Sequence, residues 1–399
     1  MNLLNYLKDK CFLIITGARQ TGKTSLLYMI RDHLTLQKEQ VVYLTLEDPL
    51  LLNALNQHPA NLLNFIHTSP DTRLVVLMDE IQYLKDPSGF LKYIYDLHAP
   101  KLKIIATGSS AFYIDKKFTD SLAGRKMLFE LFTLDFDEYL MFQTGGESLT
   151  RELTQIRNSP AYRSNMRLDL QRHLEEYLTW GGYPAVVIEQ DKAGKTNLLR
   201  ELTGSFLKRD VDESNIRDHE RFYQLLLLMA QQTGALVNRN ELSRTLGISV
   251  TAVENYLYVL RKCYHLALVK PFARNLRKEI VQMHKLYFND LGFRNVLMRQ
   301  FSPVSLRPDL GMLLENYVYI RLRTLYGSDM IRFWRTADQH EVDFIITTTP
   351  DNGWSLEVKT DYRRFEPNKY RRFTDTYPQY PLHCRALNAP NNPTDILAL

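Results

Sequence analysis

At 399 residues the chain exceeds what one hydrophobic core usually supports, so about two to four domains are expected. Its 45% hydrophobic and 24% charged residues suit a globular protein, and no apolar run approaches the ~18 residues of a membrane span, which excludes a helical membrane protein. The formal charge of +5 permits nucleic-acid binding without arguing for it, because acidic residues nearly balance the basic ones.

Residues 12–16, 41–46, 74–79, 103–107 and 127–132 are short apolar runs rich in β-branched residues, separated by helical or turn-rich stretches. That alternation is what a parallel α/β sheet needs, since each crossover packs a helix on the sheet. The first run, Phe12 to Thr16, leads directly into Gly17-Ala18-Arg19-Gln20-Thr21-Gly22-Lys23-Thr24 and an apolar helical segment from Ser25. This matches the phosphate-binding pattern G-x-x-x-x-G-K-[ST] in its required strand–loop–helix setting. Glycines let successive N–H groups curl around phosphates, and the helix N-terminus adds a favourable dipole. Lys23 supplies charge to the β- and γ-phosphates and Thr24 a hydroxyl to Mg²⁺, so Gly17 to Ser25 are expected to hold ATP.

The third run ends in Asp79-Glu80. Ligands sit at such strand ends in open α/β sheets. Asp79 is expected to hold Mg²⁺ through water, and Glu80 to polarise the attacking water. The fourth run ends in Gly108-Ser109-Ser110, where small hydroxyls either orient water and the γ-phosphate or cap a turn. Arg125, just before the fifth run, is either a surface arginine or an arginine finger reaching a neighbouring subunit's γ-phosphate.

From about 148 to 265 the pattern is helical. Asn240 to Ser249 and the helix through about Lys262 read as a helix-turn-helix: Gly247 suits the turn, Ser249 the second cap, and Leu242, Leu246, Val253, Leu257 and Leu260 the packed face. The second helix exposes Thr251, Glu254, Asn255 and Tyr258, a poor set for reading bases, so packing or phosphate contact is the expected use. Arg261, Lys262, Lys270, Arg274, Arg277, Lys278 and Lys285 form one basic cluster, and Arg363, Arg364, Lys369, Arg371 and Arg372 another; each is either solvated surface charge or a nucleic-acid contact.

Strand-like runs return at Arg332–Trp334, Val342–Ile346 and Ser355–Lys359. Asp343 points away from its apolar neighbours, and Glu357 and Lys359 share a face of the next strand. Two carboxylates on adjacent hairpin strands can gather a divalent metal, with the lysine beside the attacking water or phosphate. Glu315, on an otherwise apolar helix, is a candidate third carboxylate for that metal; solvent-exposed ion pairs are the plainer use of the same residues. Cys11, Cys263 and Cys384 are far apart, with neither metal-ligand nor disulfide spacing, as a cytoplasmic location would have it.

In this order the motifs resemble those of prokaryotic AAA+-like ATP-binding proteins with a carboxyl-terminal domain of unknown function that looks like the PD-(D/E)XK nuclease superfamily. The likeness rests on Gly17–Thr24, Tyr43–Pro49, Asp79–Gln82, Thr107–Ser110, Leu122–Arg125, Trp180–Pro184, Tyr287–Asp290, Leu314–Asn316, Trp334–Thr336, Asp343 and Glu357–Lys359. It implies an α/β fold: a parallel-sheet P-loop NTPase domain (1–147), a helical lid (148–215), a winged-helix domain (216–283) and a restriction-endonuclease-like α/β domain (284–399). It also implies ATP and Mg²⁺ at Lys23, Thr24, Asp79 and Glu80, with Arg125 as the finger; Ser109, from the strand-end reading above, joins the expected ATP-site residues. Gly182-Tyr183-Pro184 looks like the motif by which related lids contact nucleotide, which places Pro184 in the ATP site. Nuclease chemistry and a second divalent metal map onto Glu315, Asp343, Glu357 and Lys359. The expected function is an ATPase coupled to a metal-dependent DNA nuclease; the alternative is a nucleotide-gated binding or signalling switch whose nuclease-like domain is inactive. DNA, a protein partner and a second copy of the chain are each compatible partners; a membrane is not.

Overall fold

The computed structural model describes residues 3–67, 72–108, 124–144, 147–159, 161–211, 214, 216–272, 283–349, 352–389 and 392–399. Its chain divides into two compact units: Met1–Phe132 with Lys262–Tyr264, and Thr133–Arg261 with His265–Leu399.

The first unit is built on five parallel strands: β1 (Phe12–Thr16), β2 (Gln40–Thr45), β3 (Leu74–Asp79), β4 (Leu102–Gly108) and β5 (Lys126–Glu130). Their order is β2-β3-β4-β1-β5. Every residue of β1, β3 and β4 is buried, as a sheet covered on both faces demands, which is why these runs are continuously apolar. Alternate side chains go to opposite faces. Phe12, Ile14, Val76, Met78 and Ile104 pack beneath α2 (Pro49–Gln57) and α3 (Pro87–His98) through Leu51, Leu55, Phe90, Leu91 and Ile94. Leu13, Ile15, Val75, Leu77 and Ile105 face Leu27, Ile30 and Leu34 of α1 (Lys23–Leu36). Asp48 and Asp86 start α2 and α3 as N-caps followed by proline. The crossovers bring the carboxyl ends of β1, β3 and β4 side by side, with α1 starting directly after β1.

The second unit begins with α4 (Phe136–Thr144), α5 (Glu147–Asn158), α6 (Arg167–Trp180), α7 (Pro184–Ile188), α8 (Lys192–Ser205) and α9 (His219–Gln231). Next come α10 (Arg239–Leu246) and α11 (Val250–Lys262), joined through Gly247 in the left-handed conformation (φ 64°), with the Ser249 hydroxyl accepting from the Ala252 N–H at 3.1 Å. Thr251, Glu254, Asn255 and Tyr258 of α11 are exposed while Val253, Leu257 and Leu260 are buried, as their spacing requires.

A mixed six-stranded sheet follows, formed by β6 (Leu266–Pro271), β7 (Lys285–Phe288), β8 (Ile331–Arg335), β9 (Glu341–Thr349), β10 (Asn352–Asp361) and β11 (Leu382–Asn388) in the order β11-β10-β9-β8-β6-β7. Antiparallel β6 and β7 follow the helix pair directly, and β6 also pairs in parallel with β8, so this sheet runs across residue 284. Helices α12 (Leu291–Met298) and α13 (Leu310–Tyr326) lie between β7 and β8. Leu313, Leu314, Tyr317 and Val318 of α13 cover one sheet face with Phe344, Ile346, Leu356 and Val358. Phe373 of α14 (Arg371–Thr376) covers the other with Trp334, Val342, Ile345 and Tyr380. No described helix is long and apolar enough to cross a membrane.

Candidate functional site

Backbone constraints shape the loop between β1 and α1. A Cβ at Gly17 would stand 2.0 Å from the Leu131 carbonyl oxygen, and Gly22 adopts φ 94°, so both positions require glycine. Thr21 Oγ1 donates to the Ala18 carbonyl at 2.9 Å and braces the turn. Lys23, 5% exposed, folds its ammonium over the loop, donating to the carbonyls of Gly17 (3.0 Å) and Ala18 (2.7 Å).

Asp79 organises the strand ends. Its Oδ2 accepts from Thr24 Oγ1 (2.7 Å) and the Tyr43 hydroxyl (2.9 Å), and its Oδ1 accepts from Thr107 Oγ1. Thr107 Oγ1 also accepts the Glu80 N–H at 3.0 Å. Glu80 itself lies in the left-handed region at φ 60°, with the Gln82 amide donating to Oε2. Burial, and then the Tyr28 and Asp79 contacts, push the Tyr43 phenol well above its usual range, so it stays a donor. Thr24 and Asp79 thus place a hydroxyl and a carboxylate oxygen in contact beside the loop, a donor pair of the kind that holds Mg²⁺. Tyr43 and Thr107 were not among the expected site residues, although each falls in a motif that carries the resemblance.

Arg125 is held by Asp96 of α3 (Nε to Oδ1 2.8 Å) and lies over the Tyr95 ring. Ser109, Ser110, Arg274, Arg277 and Lys278 lie outside the described residues. Pro184 opens α7 in the second unit, after a pair of glycines with a packing explanation. A Cβ on Gly182 would meet the Leu134 carbonyl oxygen at 2.0 Å, and one on Gly292 the Trp180 carbonyl oxygen at 2.0 Å. Gly181 has φ 74°, and buried Asp290 accepts from the N–H groups of Gly182 and Phe293, both at 2.8 Å. The Trp180–Pro184 and Tyr287–Asp290 motifs therefore lock one backbone crossing.

The second unit holds a buried cluster of opposite charges. On the β9–β10 hairpin Leu356 pairs with Phe344, so Asp343 and Glu357 adjoin one step further along. Asp343 Oδ2 accepts the Val358 N–H at 2.9 Å. Lys359 Nζ donates to Glu357 Oε1, the Tyr370 hydroxyl also lies against this carboxylate, and Oε2 is buried with no donor in hydrogen-bond geometry. Glu315, on α13, accepts from the Tyr287 hydroxyl (2.6 Å) and from Lys285 Nζ (2.8 Å) through Oε1. Lys285 is 1% exposed, not the surface charge its basic neighbours suggested; it also reaches Glu341 and stands 3.7 Å from Asp343 Oδ1. Arg335 closes the rim on Glu341 at 2.8 Å. Burial, then the Glu357 and Glu315 charges, raise the Asp343 pKa well above the carboxylate range, and burial raises that of Glu357.

The expected four residues, Glu315, Asp343, Glu357 and Lys359, thus occupy one neighbourhood, together with Lys285, Tyr287 and Glu341. Glu341 was legible, since it lies two residues from Asp343 and shares its strand face. Among the described residues no three His, Cys, Asp or Glu already stand as a metal-ligand group. A divalent cation nonetheless fits the donor chemistry: a buried, unpartnered carboxylate oxygen beside a second carboxylate is what such an ion satisfies.

Comparison with known proteins agrees with the first unit and leaves the second without an assigned activity. The model of an AAA domain family matches residues 9–140, and two domains of unknown function, DUF8612 and DUF4143, match 171–304 and 310–392. With its loop, Asp79 and parallel five-stranded sheet, the amino-terminal unit has an α/β P-loop fold and is similar to the AAA domain family over the matched residues. The chain is 27% identical to an uncharacterized protein of Methanocaldococcus jannaschii over 90% of this chain and 76% of that one. An uncharacterized protein of Haemophilus influenzae is 26% identical over 85% of this chain and 80% of its own. Among solved structures, the RuvB Holliday junction branch migration motor of Thermotoga maritima aligns with a TM-score of 0.31 at 16% identity, covering 64% of this chain and 81% of its own. Cdc6p of Pyrobaculum aerophilum aligns at 0.29 and 13% identity, covering 76% and 92%.

Proposed function

We propose that this chain binds ATP with Mg²⁺ on Gly17–Ser25, hydrolyses it, and carries in its second unit a metal-dependent phosphodiesterase centre acting on DNA. The observation that carries the ATP reading is the convergence of Thr24, Tyr43 and Thr107 on Asp79 beneath the phosphate loop. In this reading Lys23 binds the β- and γ-phosphates, Thr24 and Asp79 hold Mg²⁺, and Glu80, aimed by its backbone bond to Thr107, polarises water. Arg125 leaves Asp96 to reach a neighbouring copy's γ-phosphate. The winged-helix and lid roles of residues 148–283 belong to the same proposal.

For the second unit, the nuclease reading rests on the unpartnered oxygen of Glu357 beside Asp343 and Lys359. A divalent cation there supplies Lewis acidity toward a phosphodiester oxygen. Lys359, part-exposed at the edge of the cluster, is positioned by Glu357 to face an incoming phosphate or water. The nucleotide-gated switch remains the second reading, favoured by Lys285, whose ammonium already occupies the space among three carboxylates.

The test has two arms on the full chain. Calorimetry with ATP and phosphate release should show binding and turnover, both lost in Lys23→Ala. Incubation of several DNA forms with Mg²⁺ or Mn²⁺, with and without ATP, should show cleavage that Lys359→Ala lacks. No nucleotide uptake by folded protein refutes the first reading; no cleavage, or equal cleavage by the variant, leaves the switch.

A further inference from the structure

Lys285 is the group in the second unit whose placement neither the ATP site nor the D…E-x-K pattern explains. It comes from β7, outside the hairpin and the α13 helix that supply the other members. Its ammonium is almost wholly buried and touches Glu315 and Glu341, with Asp343 3.7 Å away. Here carboxylates offset the desolvation of a lysine buried at this depth, whereas backbone carbonyls hold the equally buried Lys103 of the first unit. Tyr287 holds Glu315 on the same oxygen, so that carboxylate is committed to the lysine side of the pocket. On the opposite side Lys359 takes one oxygen of Glu357 and the Tyr370 hydroxyl lies nearby, while Oε2 is buried with no donor in hydrogen-bond geometry. The pocket therefore has two ends, one already holding a cation and one with an unused anionic oxygen.

Charge decides how many metal ions this arrangement admits. With every group ionised, the four carboxylates of Glu315, Glu341, Asp343 and Glu357 face three cations, Lys285, Lys359 and Arg335, leaving one formal negative charge. One divalent ion turns that into a single positive charge, which one phosphodiester anion balances. A second divalent ion would leave three uncompensated positive charges before the phosphodiester enters and two after it, which low-dielectric surroundings penalise heavily.

We propose that Lys285 is a built-in monovalent counter-ion that fills one cation position of this cluster, so that the site takes a single divalent ion, between Asp343 and Glu357, and excludes a pair. The inference rests on the metal-site reading above and deepens it.

The test counts Mn²⁺ bound to the nucleotide-free full chain by electron paramagnetic resonance. The difference between wild type and Glu357→Gln isolates this site from any ion bound near Asp79. The expected difference is one Mn²⁺ per chain. A difference of two overturns the counter-ion role while leaving the metal site standing; a difference of none removes the metal-site reading itself. Lys285→Met, if its melting curve shows a folded chain, should double the count, and a count that stays at one overturns the assignment to Lys285. Lys285→Arg keeps the charge and should keep the count at one; two ions there would equally overturn it.

Discussion

Thr107 offers the sharpest test of the nucleotide site, because a single hydroxyl there makes two bonds of different kinds. It donates to Asp79 Oδ1 and accepts the Glu80 N–H at 3.0 Å from a fully buried position at the end of β4. Thr107→Val keeps the shape and deletes both bonds. A hydrogen bond to a charged group contributes about 1.5–3 kcal/mol, and an amide left without its acceptor costs about 1 kcal/mol more. The part-exposed Glu80 amide can recover some of this from water, so a net loss of about 3 kcal/mol is expected. With a urea slope of about 2 kcal/mol/M, the unfolding midpoint of the first unit should fall by roughly 1.5 M. The kinetic consequence is more specific. Lys23 and the loop are untouched, so nucleotide affinity should hold, whereas Glu80, in a left-handed conformation, loses the contact that aims it. Misplacement of a catalytic group by about 1 Å costs on the order of 10²-fold in kcat. Urea titration and steady-state phosphate release read the two effects, and Thr107→Ser should restore both. Unchanged kcat and an unchanged midpoint in Thr107→Val would refute the reasoning.

Further outcomes are expected elsewhere. Gly182→Ala must fit a Cβ 2.0 Å from the Leu134 carbonyl oxygen, so a loss of about 3 kcal/mol or more should appear as a lowered melting temperature. His265 lies between Phe206 (4.0 Å) and Phe293 (4.3 Å), and burial lowers its pKa to about 3. Below about pH 6.5 the unfolded chain takes up a proton that the folded chain refuses, so stability falls with pH until about pH 3. Between pH 6.5 and pH 5 this group alone costs about 2 kcal/mol; urea midpoints of His265→Phe should lack that part of the slope, and parallel slopes would disprove it. Glu80→Gln should retain ATP without turning it over, and wild-type phosphate release by this variant would show that the base is misassigned.

How far residue order predicted these features depended on whether they lie within one element or between several. All five strands of the first unit were readable to within a residue or two: β1, β3 and β4 because a strand buried on both faces leaves an apolar run, and the part-exposed edge strands β2 and β5 because apolar and aromatic residues still mark them. The phosphate loop and Asp79-Glu80 were readable for a related reason: their geometry is local, set by glycines at fixed offsets and by a strand end. Tyr43 and Thr107 meet Asp79 only because β2 and β4 flank β3, and that adjacency comes from two crossovers rather than from spacing along the chain. Gly182, in Gly182-Tyr183-Pro184, suggested a nucleotide contact in sequence; in the fold it is also required, with Gly181, where α6 ends against Leu134 and Asp290.

Lys285 shows the same limit from the other side. It falls in a basic stretch with Lys270 and Arg261, so its sequence neighbours make it look solvated. Its partners lie on α13 and β9, 30 residues or more away, as for the Glu315 contact. The carboxylates that offset the desolvation of this ammonium come from separate elements, so the buried ion pairs tie α13, β7 and β9 together. That gives the cluster a property the D…E-x-K pattern alone lacks. Asp343 and Glu357 sit at an anionic end of fixed capacity, and any chemistry there must work with the positive charge Lys285 already supplies.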